Sequence, residues 1–324
     1  SSVGGALIAT ATTGNITQTG ALDIEGVTTL VTSGPGADID LAANGTGNAF
    51  TGKLLITTNE TSSNANDAYV TIHGGTTDLK IGLSTIEGNL TLLSGGEITD
   101  EGIATVEGTL TATTNQLHKI ITLNQLAVTG ALTLAPNGTG AVTIVNAVGL
   151  NLAASTMGGT FSGTATAGNI TQSGALDIEG TTTLVTSGVG ADIVLTTDTN
   201  AFTSQLLITT NETNSDIDAD VSIDGGTTEL IIGTSTIDGN LTLLSGGTIT
   251  DTDGSTVTVK GTLTATTDRL NKIITLNDLA VDGAFTLDPD GTGAVTIVND
   301  AGLILAASTI DRKSTRLNSS HVKR

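Results

Sequence analysis

The sequence predicts an all-β fold, a β-solenoid in which short strands stack as successive coils of a single elongated rod. Three observations predict it: long phrases recur, short runs of apolar and threonine residues alternate with turn-forming residues, and large aromatic residues are scarce. Only 2% of the 324 residues are aromatic, while 42 are glycine and 3 are proline. A globular core of this length normally depends on bulky aromatic side chains, whereas stacked coils need only columns of small aliphatic ones.

The longest recurrence divides the chain into two copies. Residues Gly14–Gly26 read GNITQTGALDIEG and return with one change at Gly168–Gly180, 154 positions later. Residues Thr109–Leu123 return at Thr262–Leu276, 153 positions later. The offset changes within stretches rich in Gly, Asn, Asp and Ser, where loops tolerate insertions. We therefore predict three segments: a first solenoid copy at 1–156, a second solenoid copy at 157–310 and a non-native or disordered tail at 311–324.

Each copy contains two diverged halves. A phrase that begins LKIGLSTIEG recurs in related form four times, starting at Leu79, Leu150, Leu230 and Leu303. The basic unit is therefore near 75 residues long, as the spacing of these phrases indicates. Three strands with their turns need about 20 residues, so we expect about four coils in each unit and about 16 in the chain.

The pattern within a unit is typical of strands. Runs such as Thr109–Thr113 and Ala141–Val145 alternate apolar residues with threonine, which predicts strands with one buried face. A string of β-sandwich modules is the competing fold, but such modules fill the gap between their sheets with a recurring aromatic residue. Here Phe50 and Phe202 recur once in each long copy, and no aromatic residue recurs from unit to unit.

The charge excludes two classes of partner. The formal net charge is −21, from 32 acidic and 11 basic residues. Such a surface repels nucleic acid and anionic membrane surfaces, so neither is expected as a partner. No apolar run approaches the ~18 residues that span a bilayer, so this segment is not expected to insert into a membrane. The absence of cysteine is compatible with an extracellular protein stabilised by its repeated core.

Candidate catalytic residues do not recur between the copies. His73 is replaced by Asp224 and His118 by Asn271, so we interpret both histidines as residues of surface turns. Lys119 and Lys272 are equivalent, and a lysine that forms a salt bridge or lies along the surface explains them. The chain has no cysteine and no Gly-x-Ser-x-Gly motif with suitable partners. We therefore expect no enzyme and assign no catalytic, cofactor-binding or metal-binding residue.

Acidic clusters leave calcium as an alternative to the expectation of no cofactor. Alternating Asp residues near a glycine supply oxygen ligands around a tight turn, as calcium loops do. Three groups show this pattern: Asp216, Asp218 and Asp220; Asp251 and Asp253; Asp288 and Asp290. The first copy has Asn64, Asn66 and Ala68 for the triplet, and no group has the full spacing of a calcium loop. Solvated turn caps are the favoured interpretation.

Two further alternatives concern the surface of a solenoid. Parallel β-helices also include polysaccharide-degrading enzymes, but a pair of carboxylates in so acidic a chain is not informative. The Thr-x-Thr runs at Thr109–Thr113 and Thr262–Thr266 resemble those of ice-binding solenoids, which need such runs on every coil. In this sequence they are not continuous.

A longer succession of phrases carries a family resemblance. NITQSGALDIEGTTTL, GADIVL, NAFT, STIDGNLTLLSGGTITD and GTLTATT resemble the repeats of filamentous-haemagglutinin-like proteins and other giant surface adhesins of Gram-negative bacteria. The likeness covers residues 1–310. It implies a right-handed parallel β-helix, a secreted or cell-surface location and a role in adhesion or biofilm. The implied partners are glycans or proteins of host or neighbouring cells and the biofilm matrix, bound by a monomeric rod within a longer chain.

The tail does not share this resemblance. Residues 311–321 read DRKSTRLNSSH, which resembles the conceptual translation of a sequencing adapter, and a genuine basic tail is the alternative. The competing interpretation of the repeats is a phage tail fibre or a surface-layer component. A trimeric fibre would have three times the mass of the chain in solution.

Overall fold

A computed structural model describes residues 1–58, 67–210 and 218–310. Its regular structure is all-β, with parallel strands that stack as the coils of a β-solenoid, so the predicted fold class is confirmed. A single 3-10 turn, Gly45–Gly47, interrupts the strands in the described part of the chain. No helix there has the length and apolarity that crossing a membrane would require. The predicted tail, 311–324, lies outside the described residues.

The chain divides into two compact units, and the first is Ser1–Thr166. Its strands, numbered in chain order, are β1 (Ser2–Val3), β2 (Leu7–Ala11), β3 (Ile16–Thr17), β4 (Asp23–Ile24), β5 (Thr28–Thr32), β6 (Ile39–Leu41), β7 (Ala49–Phe50), β8 (Leu54–Thr58), β9 (Val70–His73), β10 (Leu79–Ile81), β11 (Ser84–Ile86), β12 (Leu90–Ser94), β13 (Ile98–Asp100), β14 (Ala104–Val106), β15 (Leu110–Thr114), β16 (Ile121–Val128), β17 (Leu132–Ala135), β18 (Val142–Asn146), β19 (Leu150–Leu152), β20 (Ser155–Met157) and β21 (Phe161–Ala165).

The second unit begins at Ala167. Its strands are β22 (Ile170–Gln172), β23 (Leu176–Ile178), β24 (Thr182–Thr186), β25 (Ile193–Leu195), β26 (Ala201–Phe202), β27 (Leu206–Thr210), β28 (Val221–Asp224), β29 (Leu230–Ile232), β30 (Ser235–Ile237), β31 (Leu241–Ser245), β32 (Ile249–Asp251), β33 (Val257–Val259), β34 (Leu263–Thr267), β35 (Ile274–Val281), β36 (Ala284–Pro289), β37 (Val295–Asn299) and β38 (Ile304–Leu305).

One sheet in each unit counts the coils. In the first unit β3, β6, β9, β12, β15, β17 and β19 are successive neighbours, and in the second unit β22, β25, β28, β31, β34, β36 and β38 are. Each unit therefore has seven coils, and the expectation of about four coils per 75-residue unit is wrong. Turn length is the reason: Leu90 pairs with Leu110 after 20 residues, but Ile39 pairs with Val70 after 31.

A second sheet turns a corner partway along each unit. The five-residue strand β8 pairs with two three-residue strands, β10 through Ile81 and β11 through Thr85. In later coils the two short strands fuse into the eight-residue strand β16, which keeps a register shift between Leu123 and Leu126. The equivalent strand β35 of the second unit has the same shift between Leu276 and Leu279. The corner therefore adds unpaired backbone groups at regular positions.

The period-two alternation of the sequence separates the interior from the surface. Between β12 and β15 the pairs Leu90–Leu110 and Leu92–Ala112 are buried, while the pair Thr91–Thr111 faces outward. Successive residues of a strand point to opposite faces, so the aliphatic residues of each coil stack on those of the next. Burying these columns, at roughly 25 cal/mol per Å² of apolar surface, is the main stabilising contribution.

The unit boundary falls inside the second sequence copy. Strands β20 and β21 belong to that copy, which was predicted to begin at residue 157, but they lie in the first unit. The reason is pairing: β21 is parallel to β18 along five residues, from Val142–Phe161 to Asn146–Ala165. A coil is completed by its neighbour, so sequence copies and compact units need not share a boundary.

Candidate functional site

The serine of the recurring Ser-Thr-Ile phrase has a structural role. At the corner of the first unit, the backbone N–H of Ile56 donates a hydrogen bond of 3.1 Å to the Ser84 hydroxyl. That hydroxyl donates to the carbonyl of Gly82 at 3.0 Å. The same pair of bonds recurs at Ser155, Ser235 and Ser308. The side chain thus satisfies a buried amide where the chain departs from the strand ladder.

A ladder of Asn and Asp side chains links the coils at another turn of the second unit. The Asn169 side chain accepts from the N–H of Asp192 at 2.9 Å, and Asp192 accepts from Asp220 at 2.8 Å. Asp220 accepts from the N–H of Asn240 at 2.7 Å, and Asn240 accepts from Thr262 at 2.8 Å. Each side chain therefore satisfies the N–H of its counterpart one coil later.

The ladder is interrupted in the first unit. Asn15 accepts from Asp38 at 2.9 Å, Asp38 accepts from Tyr69 at 2.8 Å, and Asn89 accepts from Thr109 at 2.8 Å. Tyr69 takes the place of Asp220, because both donate to the preceding aspartate. The expected equivalence of Ala68 and Asp220 is therefore wrong by one residue.

The other acidic groups also act within the fold. Asp251 is buried and accepts from the N–H of Asp278 at 2.7 Å, at the register shift of β35, whereas Asp253 is exposed. Asp288 lies within strand β36, and Asp290 donates its N–H to the Thr267 hydroxyl at 3.1 Å. Solvated turn caps therefore do not describe Asp251 or Asp288. The described residues contain no group of three or more His, Asp or Glu side chains that could hold a metal ion; Asp216, Asn64 and Asn66 lie outside them.

His73 is not a surface-turn residue, so that interpretation is wrong. It ends strand β9 with 8% of its surface exposed, and its Nδ1 accepts from the N–H of Gly75 at 3.0 Å. Burial lowers its pKa, because the charged ring loses hydration. Asp224 performs the same task in the second unit, where its carboxylate accepts from the N–H of Gly226 at 2.8 Å. Both side chains cap a turn.

Buried amides adjoin these two caps. The Gln18 and Asn48 side chains exchange hydrogen bonds of 3.1 and 3.0 Å, and Asn48 also donates to the carbonyl of His73 at 2.8 Å. The Gln172 and Asn200 side chains repeat the exchange beside Asp224. Buried polar groups are stable where each finds a partner, as these do. The clusters are therefore internal braces.

His118 lies in an exposed turn, as expected. His118 and its counterpart Asn271 have positive φ angles of 62° and 63°. This left-handed conformation is enriched for Asn, Asp and His among the non-glycine residues. Ion pairs in the described part of the chain join Lys80 to Glu101 and Lys260 to Asp238. Lys119 and Lys272 are in neither, which leaves the surface interpretation of those two lysines.

Four stretches of the chain match one family model. The matches cover residues 1–57, 66–135, 139–209 and 218–288, and the family is described as Repeats of unknown function (DUF5649). The chain belongs to this family. The DUF5649 repeats are about 70 residues long, two in each long copy, which agrees with the nested repeat that the sequence predicts. No curated protein and no solved structure matches the chain.

The DUF5649 repeats include the serine and asparagine side chains that join the coils. Ser84, Ser155 and Ser235 lie in the second, third and fourth matches respectively. The ladder residues Asn15 and Asn240 lie in the first and fourth. Two gaps between the matches, 58–65 and 210–217, nearly coincide with the segments that lie outside the described residues. The family pattern is therefore carried by residues that build coils.

Proposed function

We propose that this chain is a structural and adhesive segment of a large secreted or cell-surface bacterial repeat protein, and that it performs no catalysis. One observation carries the proposal. Both copies keep the interior and the hydrogen-bonding side chains, such as Ser84 and Ser235, while surface positions differ in charge. Glu107 on the surface of the first copy, for example, is replaced by Lys260 in the second. A constant frame with a variable surface suits presentation to a partner.

The charge and the surface chemistry favour particular partners. With a net charge of −21, the chain suits glycans or proteins of host or neighbouring cells, or biofilm matrix, better than nucleic acid. Outward-facing threonines stack in register along one sheet, at Thr71, Thr91, Thr111 and Thr133. Rows of hydroxyl groups offer donors and acceptors to polar ligands, since each hydroxyl can act as either.

The pairing also favours a monomeric solenoid over an intertwined fibre. Strand pairs such as β12–β15 and β31–β34 join neighbouring coils of the same chain over five residues each. One chain therefore completes its own coils, whereas a trimeric tail fibre needs three. Sedimentation equilibrium under dilute conditions tests this point. A mass of one chain supports the solenoid, and a fixed mass of three chains would favour the tail-fibre alternative.

Adhesion is tested by binding of the purified chain to cells and glycans. Beads coated with the chain should bind host or bacterial cells, or a glycan array, more than beads coated with a protein of similar net charge. Equal binding to both kinds of bead would reject the adhesive role. Release of reducing ends from acidic polysaccharides would reject the proposed absence of catalysis, and heat-denatured chain serves as the blank.

A further inference from the structure

The two edge strands of the described solenoid are complementary to each other. Strand β2 has partly exposed residues where β21, its counterpart in the second copy, has buried ones. Strand β37 is likewise partly exposed where its counterpart β18 is buried. The sequences of β37 and β18 are identical, VTIVN. Each unit thus ends in a strand whose counterpart elsewhere in the chain is fully paired.

The counterparts β18 and β21 pair with each other within the first unit. They are in register from Val142–Phe161 to Asn146–Ala165. The N–H of Val142 donates to the carbonyl of Thr160 and the N–H of Thr166 donates to the carbonyl of Asn146, each at 2.9 Å. The molecule therefore contains a finished example of the joint that its two edge strands would form.

We propose that this chain associates end to end with a second copy of itself, with β37 of one molecule pairing in parallel with β2 of the next. The register follows from the internal joint: Val295 lies opposite Leu7 and Asn299 opposite Ala11. The N–H of Val295 donates to the carbonyl of Ala6, as that of Val142 does to Thr160. The joint is heterologous, so it does not close and adds molecules one after another.

The apolar lining of the β2 edge supports this partner. An open cavity of about 280 Å³ is lined there by Leu7, Ala9, Ile16, Leu30 and Leu41, among others. In the internal joint Phe161, the counterpart of Leu7, is 1% exposed. Unpaired strand edges attract further strands, and an apolar edge does so most strongly. A coil of a second molecule would bury both features at once.

One overlap sets the condition for the joint. Ser308 occupies the place in the repeat that Ser1 occupies, because both correspond to Ser155. Ser308 accepts from the N–H of Leu287 at 3.1 Å, as Ser155 does from Leu134 at 3.0 Å. Residues 308–310 of one molecule and residues 1–3 of the next would therefore compete for one position. A chain that ends at Ala307 removes the competition and should associate more readily.

The experiment compares the full chain, the chain ending at Ala307 and two variants of the shorter chain. Leu7→Lys places a charge on the face that the joint buries. Ile8→Lys is the matched control on the same strand, because Ile8 faces outward and is 74% exposed. Sedimentation velocity over a hundredfold range of concentration measures the mass, and circular dichroism checks that each variant keeps its β-structure.

The shorter chain and its Ile8→Lys variant should form a concentration-dependent series of oligomers, and Leu7→Lys should remain a monomer. The full chain should associate about tenfold or more weakly than the shorter chain. A shorter chain that stays monomeric, a series that stops at the dimer, or Leu7→Lys oligomers like those of the control would each overturn the proposal. The joint does not depend on the adhesive role, since cell binding and self-association are measured separately.

Discussion

The Ser84 hydroxyl accepts a hydrogen bond from the backbone N–H of Ile56 in the preceding coil, at 3.1 Å. This bond satisfies a buried amide at the corner where the strand ladder is interrupted. Four serines of the recurring phrase share the arrangement, so the phrase records a requirement of the backbone. It explains why serine recurs there among otherwise apolar residues.

Ser84→Ala should lower the stability of the first unit. The Ile56 amide would lose its buried partner, which costs about 1–3 kcal/mol. Thr85→Ala is the matched control, because Thr85 is exposed on the outward face of the same strand, and it should cost less than about 0.5 kcal/mol. Urea unfolding followed by circular dichroism measures both. Equal effects of the two substitutions would contradict the role assigned to the hydroxyl.

Much of the fold could be predicted from the sequence, because a solenoid repeats its reasons. Each buried aliphatic column appears as alternation in every coil, so runs such as Thr109–Thr113 predict strands directly. The number of coils could not be predicted as well, since the residues between Ile39 and Val70 form one long coil and not parts of two. Turn lengths have no periodic signal, and the count depends on them.

The polar side chains that join the coils are harder to predict than the strands. Asn and Asp beside glycine are typical of any turn, so the sequence alone does not distinguish a calcium ligand from the acceptor that Asp220 is for the N–H of Asn240. A signal is nevertheless present: Asn15, Asn89 and Asn240 each directly follow a glycine at equivalent turns. The prediction for His73 is wrong for another reason, because comparison with Asp224 shows that a catalytic base is absent from one copy and does not reveal a shared capping role.

Tyr69→Asp should stabilise the first unit by continuing the ladder of side chains. Its carboxylate would accept from the N–H of Asn89, as Asp220 accepts from Asn240, and a hydrogen bond of this kind contributes about 1 kcal/mol. Asp220→Tyr is the reverse change and should destabilise the second unit by a similar amount. Thermal unfolding of the two variants measures the effect. Shifts of the same sign in both would contradict the ladder as a stabilising feature.

Asp224→Asn should raise stability at neutral pH. Burial, and then the negative charges of Asp268 and Asp198, raise the pKa of Asp224 above its ordinary 3.8. The folded state therefore favours the protonated form, and the stability which that form contributes is lost as pH rises through the folded-state pKa. Asparagine keeps an oxygen for the N–H of Gly226 but carries no charge. Its advantage, measured by melting temperature, should be present at pH 7 and disappear below about pH 3.8.

His73 should give a pH dependence of the opposite direction. Burial lowers its pKa below the ordinary 6.5, so the folded state favours the neutral ring. Acidification below about pH 6.5 should therefore destabilise the first unit, because the unfolded chain binds the proton first. His73→Asn keeps an acceptor for the N–H of Gly75 and should remove this part of the dependence. A melting curve between pH 7 and pH 5 that is unchanged by the substitution would reject the assignment.

The ion pair between Lys260 and Asp238 distinguishes the surfaces of the two copies. Asp238 is only 8% exposed at its side chain while Lys260 is 62% exposed, so the lysine compensates a carboxylate held near the surface. Lys260→Glu reproduces the pair Glu107 and Glu87 of the first copy and should destabilise the second unit by about 1 kcal/mol at low salt, less at high salt. Glu107→Lys makes the reverse exchange and should stabilise the first unit. Because exposed pairs are screened by salt, the two effects should shrink together as sodium chloride rises from about 10 mM to about 1 M, and salt-independent effects would indicate packing as their cause.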